Sequence, residues 1–385
     1  MDAIAELEER LARYPRERYP VQHATAQFHL GVLLMNGGRA DEAERALRAA
    51  AELFDPGRLA TEHAKALNAL GAALRLLGRP HEAAEAFEQA ATTLAGRERG
   101  AALHNLGLAR RDTGALADAA AAFEQARELL VADAVPAQAA AAARELGATL
   151  LQQADVAAAT SALEEAVELA ERLGDATASG AATNALGLAY LAAGRADDAV
   201  DAFQRALAAH PRSLRPGEYA MAKANLALAY EYAGDLRRAR LAARQALGVP
   251  SAAPAVTVQA QSVIERVGRG NGDLLAVLVD EPRDRWPGLV REEVVRWTDA
   301  KDKRAELGRW IEMLQATEID PVDVAEVWLG ALLELPPDEM EELVAATREA
   351  AATHDFDWLR TTVDAASARF HTPQLLRLRH AFAWS

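Results

Sequence analysis

The chain has 385 residues, 51% of them hydrophobic and 26% charged, which is the composition of a globular protein with length for two or three domains. It contains no cysteine, so disulfides, thiolate metal sites and cysteine nucleophiles are excluded. Its net charge is −15, from 57 acidic and 42 basic side chains. That balance argues against nucleic-acid or anionic-membrane binding, because such binding draws its affinity from basic side chains that neutralise phosphates.

Residues 1–22 are predicted to form an N-terminal helix and a linker. The first 13 residues lack the basic start and the uninterrupted apolar stretch of a secretory signal. The longest aliphatic run, 274–279, is much shorter than the roughly 20 residues that cross a bilayer. We therefore expect a cytoplasmic protein that makes no membrane contact.

Residues 23–250 contain six copies of one pattern, spaced by 40, 36, 40, 40 and 40 residues. Each copy has a Leu-Gly or Leu-Ala pair: Leu30-Gly31, Leu70-Gly71, Leu106-Gly107, Leu146-Gly147, Leu186-Gly187 and Leu226-Ala227. Seven residues later comes a turn residue: Gly38, Gly78, Gly114, Ala154, Gly194 and Gly234. Then follow an alanine and, four residues further on, a larger apolar residue in all but the sixth copy: Leu47, Phe87, Phe123, Leu163, Phe203 and Ala243.

This pattern predicts a helical hairpin. The apolar residues recur at spacings of three and four, which is the helical period. A glycine at the midpoint ends the first helix where the backbone leaves the right-handed helical region. Small residues let the two helices approach closely, and the larger residue fills the space beside them. One hairpin cannot bury its apolar face alone, so the copies must stack into a solenoid.

The pattern resembles the tetratricopeptide repeat family, which has Leu-Gly and Tyr in its first helix and Ala, Phe, Ala and Pro further on. The fifth copy matches best: Leu186, Gly187, Tyr190, Gly194, Ala199, Phe203, Ala206 and Pro211. The period exceeds the usual length of about 34 residues, so we expect an extended second helix or linker. Residues 16–27 are similar to the opening of long-period bacterial arrays found next to CHAT protease domains; such a domain would be inactive here, without its cysteine. The resemblance implies an all-α fold, a right-handed α-solenoid followed by a helical C-terminal region.

Beyond Pro250 the composition changes, since all six tryptophans lie after it and all six tyrosines before it. We predict a capping helix and linker over 251–270 and a Trp-rich helical domain over 271–385. Helix starts are predicted at Asp273, Arg285 to Gly288, Asp302, Asp320, Pro337, Asp355 and Thr372. The helical spacing of the tryptophans favours core positions over a cofactor site.

Motifs for catalysis are weak. The glycines at 268, 270 and 272 lack the preceding strand and the Lys-Ser/Thr of a phosphate loop, so they are interpreted as a linker. His354, Asp355, Asp357 and His371 supply the residues for an alternative, an enzyme site between the solenoid and the C-terminal helices. No metal or cofactor is expected.

The family resemblance places the second, fifth, ninth and twelfth residues of each repeat on the concave face of the solenoid. The predicted partner-binding groove comprises Phe28, Val32, Met35, Lys65, Asn68, Arg75, His104, Arg111, Arg144, Asn184, Leu188 and Met221. Its middle forms a basic strip of Lys65, Arg75, His104, Arg111 and Arg144, which favours an acidic peptide as ligand. An alternative is that carboxylates of neighbouring second helices neutralise this strip.

The resulting prediction is a non-enzymatic scaffold or adaptor that binds a partner protein or acidic peptide in this groove. A regulatory sensor that responds to a ligand or peptide is the first alternative, and the enzyme is the second.

Overall fold

The computed structural model describes residues 3–267, 273–317 and 319–383. In these ranges every regular element is a helix, which confirms the predicted all-α class. The chain divides into two compact units, Met1–Gly194 and Arg195–Ser385. The predicted domain boundaries at residues 22, 250 and 270 stay predictions.

The first unit consists of an N-terminal helix, four complete hairpins and the first helix of the fifth. Its helices are α1 (Ala3–Arg13), α2 (Pro20–Asn36), α3 (Ala40–Leu53), α4 (Ala60–Leu76), α5 (Pro80–Thr93), α6 (Gly96–Asp112), α7 (Leu116–Ala132), α8 (Pro136–Gln152), α9 (Val156–Arg172) and α10 (Ala176–Ala192). Consecutive helices pack against each other throughout this unit, as expected for a stack of hairpins.

The lengths of the second helix and of the following linker together account for the period of the repeat. The first helices α2, α4, α6, α8 and α10 each have 17 residues. The second helices α7 and α9 also have 17 residues, whereas α3 and α5 have 14. In the third and fourth repeats, two 17-residue helices and two three-residue turns make 40 residues, so the second helix is extended. In the first repeat the linker is extended instead, since six residues separate the end of α3 from the start of α4. Both forms of the predicted extension therefore occur.

The turn inside each hairpin uses a left-handed residue. Gly78 and Gly114 have φ values of 72° and 82°, a region that glycine enters without strain. In the fourth copy the same turn is built by Ala154, with φ at 62°. The following Asp155 caps α9 by accepting a hydrogen bond from the Ala158 N–H at 3.1 Å.

The second unit contains the sixth hairpin and the C-terminal helices. Its helices are α11 (Ala196–Ala209), α12 (Pro216–Tyr232), α13 (Leu236–Leu247), α14 (Pro254–Val267), α15 (Asp273–Asp280), α16 (Trp286–Thr298), α17 (Lys303–Ala316), α18 (Pro321–Leu333), α19 (Pro337–Ala351), α20 (Phe356–Ser367) and α21 (Thr372–Phe382). A helix, α14, lies within the segment predicted as capping helix and linker, and its capping role stays a prediction. All seven predicted helix starts in the C-terminal region are confirmed.

Tryptophans form the centre of the C-terminal helices. Trp310 and Trp328 are fully buried, with ring centroids 6.5 Å apart, and Trp297 lies 5.4 Å from Trp310. The predicted core role is therefore confirmed for these three, while Trp384 lies outside the described residues. None of the helices in the described ranges is long and apolar enough to cross a membrane.

Candidate functional site

The first helices of the first unit form one continuous face. Helix α2 packs against α4, α4 against α6, α6 against α8 and α8 against α10. We call the surface that they share in repeats one to four the first-helix face. It carries nine of the twelve predicted groove residues: Phe28, Val32, Met35, Lys65, Asn68, Arg75, His104, Arg111 and Arg144.

The cations of the predicted basic strip are held in ion pairs. Lys65 Nζ lies 2.8 Å from Glu98 Oε1, and Arg75 Nε lies 2.6 Å from Asp112 Oδ2. Both carboxylates belong to α6, the next first helix. Carboxylates do pair with the strip, as the alternative supposed, but they come from first helices and not from second helices.

Two arginines share a single carboxylate further along this face. Glu145 accepts from Arg111 Nη1 at 2.5 Å and from Arg144 Nη2 at 2.6 Å. The Glu145 side chain is 12% exposed, whereas that of Arg144 is 40% exposed. Arg111, Glu145 and Arg144, which we call the triad, therefore carry one positive charge in excess. The more exposed of its two cations is Arg144.

The structure corrects the prediction that His104 is one of the charged residues of the basic strip. Burial lowers its pKa, and the opposite influence of Glu145 is smaller, so the ring is neutral at pH 7. The ring packs edge-on against Phe123, with centroids 5.5 Å apart. Its Nδ1 is buried, with no hydrogen-bond partner among the described residues. His104 therefore adds no charge to the strip.

The neutral residues of the first-helix face form two smaller groups. Phe28, Val32 and Met35 are half-buried and pack on the apolar core of the first unit. Asn105 Nδ2 donates to Asn68 Oδ1 at 3.2 Å and so joins α6 to α4. This bond leaves an amide N–H of Asn68 and the carbonyl of Asn105 for other partners.

The remaining predicted groove residues differ in exposure. Leu188 is 37% exposed and Met221, which lies in the second unit, is 38% exposed. Asn184 is only 6% exposed, since it lies between packed helices. This corrects the prediction that Asn184 lies on a surface that a partner can reach.

A sequence profile described as tetratricopeptide repeat matches residues 22–95 and 138–212. These two segments are tetratricopeptide repeats. No curated protein matches the chain.

Among solved structures, the Cut9–Hcn1 hetero-tetramer of the APC/C is 17% identical, with a TM-score of 0.52 over 70% of this chain and 46% of that one. This likeness shows a shared fold. PilF of Pseudomonas aeruginosa is 16% identical over 63% of this chain and 97% of its own, with a TM-score of 0.48. YrrB, described as having an unusual peptide-binding site, is 19% identical over 54% of this chain and 94% of its own, with a TM-score of 0.40.

Two residues of the enzyme alternative, His354 and Asp355, have structural roles. The His354 ring bonds to the Ala350 carbonyl at 2.8 Å and to Glu312 at 3.1 Å. Asp355 caps α20 by accepting from the Trp358 N–H at 3.0 Å. Within the described ranges no three His, Asp or Glu side chains are grouped to hold a metal. The glycines at 268, 270 and 272 lie outside those ranges.

Sequence reasoning missed a cavity of about 1000 Å³ inside the second unit. It lies between helices α11–α13 of the fifth and sixth repeats and helices α15, α16, α18 and α19. Lys223 on its wall is 5% exposed and lies 2.5 Å from Glu292 of α16. The equivalent positions in the other five repeats are uncharged, so a lysine at this position was the available signal: they are Gln27, Leu67, Leu103, Ala143 and Thr183.

Proposed function

We propose that this chain is a non-enzymatic interaction protein that binds an acidic segment of a partner protein along the first-helix face. The observation that carries the proposal is the triad of Arg111, Glu145 and Arg144, which keeps one positive charge in excess. On a chain with a net charge of −15, this charge distinguishes the face from its surroundings. A carboxylate of the partner would complete the pairing of Arg144.

The other ion pairs of the first-helix face can contribute to recognition by exchanging their carboxylate for one of the partner protein. Lys65 and Glu98 are both more than a third exposed, and so the pair is weak in water. A partner's carboxylate can therefore replace Glu98 as the partner of Lys65 at little net loss. Exchange of this kind gives selectivity for acidic segments more than it gives affinity.

The neutral groups of the face supply the rest of the binding. Phe28, Val32 and Met35 offer an apolar patch for one side chain of the partner. The open amide groups of Asn68 and Asn105 match the carbonyl and N–H of an extended peptide. Apolar anchors combined with a few polar contacts are typical of protein interfaces.

The tetratricopeptide repeats support this role, because proteins of this family generally mediate protein–protein interactions. The role is that of a scaffold or adaptor in the cytoplasm. The 40-residue period supports assignment to the long-period bacterial type of array.

The proposal is tested with a fluorescein-labelled peptide of ten alternating Glu and Leu residues, whose binding to the full chain is followed by anisotropy. Arg144→Glu keeps the Arg111–Glu145 pair but removes the excess charge, so affinity should fall at least tenfold. Arg172→Glu is the matched control, because Arg172 lies on the second helix α9 with 64% of its side chain exposed. Equal affinities of the two variants would contradict the proposal.

A second candidate function, a regulatory response to a ligand, is supported by the cavity of the second unit. Ligand-dependent change in the hydrodynamic radius of the full chain would distinguish this role from that of a passive scaffold.

A further inference from the structure

Three residues that line the cavity of the second unit each carry a buried hydrogen-bond donor. Arg212 Nη1, the Tyr219 hydroxyl and Gln245 Nε2 have no hydrogen-bond partner within the described part of the chain. All three residues line the cavity. Tyr219 and Gln245 are 4% and 1% exposed, so these two donors are shielded from bulk solvent.

The three residues lie close together. The Arg212 guanidinium carbon lies 6.0 Å from the centre of the Tyr219 ring. Arg212 Nη2 donates at 2.7 Å to the carbonyl of Gly248, which is one helical turn beyond Gln245. The three residues that carry these donors are therefore neighbours on the cavity wall, and we call them the donor cluster.

The unpartnered nitrogens of the donor cluster, Arg212 Nη1 and Gln245 Nε2, need acceptors, and the Tyr219 hydroxyl can donate as well as accept. Guanidinium and amide nitrogens only donate hydrogen bonds. Burial raises the pKa of Tyr219, so its hydroxyl keeps its proton. A carboxylate is the common group that brings several acceptor lone pairs and no donor.

The cavity is balanced in charge around this cluster. Lys223 pairs with Glu292, Arg238 with Glu281 and Arg212 with Asp299. Five basic and five acidic side chains line the cavity in all. Long-range attraction of an anion is therefore small, and recognition depends on the hydrogen bonds of the donor cluster.

The rest of the wall is predominantly apolar. Its apolar lining residues include Leu207, Pro211, Leu289, Val295 and Leu335. A volume of about 1000 Å³ is at the upper end of the range for small-molecule sites, which are mostly apolar with a few placed polar groups.

We propose that this cavity binds an amphipathic carboxylate, whose oxygens accept from Arg212, Tyr219 and Gln245 and whose apolar body lies against the leucines and valine of the wall. Two sources carry this chemistry, a free acyl acid and the C-terminal carboxylate of an apolar peptide. The site is separate from the first-helix face, so its failure leaves the proposed function untouched.

The test uses dansyl-labelled undecanoic acid with the full chain, followed by fluorescence. Dodecanoic acid and dodecanamide are compared as competitors, with the tripeptide acetyl-Leu-Leu-Phe as free acid and as amide. We expect each acid that enters to displace the probe at a concentration at least tenfold lower than its amide. The acid that displaces, acyl or peptide, identifies the source. The affinity should change less than twofold between 50 and 500 mM salt.

The double variant Tyr219→Phe, Gln245→Leu removes two of the three donors. Because these donors have no protein partner, we expect an unchanged or higher melting temperature together with at least a tenfold loss of affinity for the labelled acid. Tyr232→Phe, an exposed tyrosine of the same helix, is the matched control and should bind as wild type. The proposal is overturned if the labelled acid does not bind, if acids and amides compete equally, or if the double variant binds as wild type.

Discussion

Gly107 and Phe123 face each other across the third hairpin, so closely that a Cβ on Gly107 would lie 2.7 Å from Cδ1 of the ring. The same relationship joins Gly147 to Leu163, where the Cβ would overlap Cγ of the leucine. In the sixth hairpin alanine replaces both members, Ala227 in the first helix and Ala243 in the second, and both are fully buried. The added methyl on one helix is thus offset by the smaller side chain on the other.

Phe123→Ala should destabilise the first unit by about 3–5 kcal/mol, because it removes a fully buried ring. Gly107→Ala should destabilise it by about 1–3 kcal/mol, because the ring must move. The double variant should lose less than the sum of the two, since the new methyl fills part of the space that the ring leaves. Denaturant unfolding of the four proteins measures the coupling. Strict additivity would show that the two positions are independent.

Ala154 has a left-handed backbone at a turn where the other repeats have glycine. Ala154→Gly should therefore stabilise the first unit by about 1 kcal/mol, because the Cβ strain disappears. Ala121→Gly is the control: Ala121 is exposed inside the regular helix α7, and the same substitution there should destabilise by about 1 kcal/mol. Thermal melting shows whether each variant is more or less stable than wild type. A loss of stability in both variants would contradict the role of backbone strain at Ala154.

Removing one or the other partner of the Lys223–Glu292 ion pair should lower the stability of the second unit by unequal amounts. The lysine side chain is 5% exposed and the glutamate 30% exposed. Glu292→Ala leaves a buried ammonium and should destabilise the second unit by about 3 kcal/mol. Lys223→Met leaves a carboxylate that water reaches and should destabilise by about 1 kcal/mol. Urea unfolding measures both, and the reverse order would mean that the lysine is well solvated.

We expect the stability of the protein to depend on pH through the titration of His354. The Ala350 carbonyl and then Glu312 raise its pKa above the ordinary value. The protonated form is therefore favoured by folding, so this contribution is complete below the ordinary pKa and is lost as pH rises through the raised one. Glu312→Gln should lower the pKa part of the way back, as measured by NMR titration of the ring. Glu341→Gln, an exposed glutamate of α19, should leave that titration unchanged.

Local patterns predicted the hairpins, turns and tryptophan core because each depends on residues within one repeat or one helix. The ion pairing of the basic strip could not be predicted from these local patterns. Arg111 meets Glu145 across two successive first helices, and the spacing of 34 residues between them has no sequence signature. The cavity was missed for the same reason, since Lys223 and Glu292 are 69 residues apart.

The central claim is that partners bind the first-helix face, and photo-crosslinking in the producing cells tests it most directly. Benzoylphenylalanine replaces Leu108, one turn before Arg111 on α6, or Leu173, an exposed leucine at the end of α9. The account predicts a crosslinked protein from position 108 and none from position 173, with the adduct mapped by mass spectrometry to an acidic segment. Equal crosslinking from both positions, or an adduct on a segment without acidic residues, would contradict it.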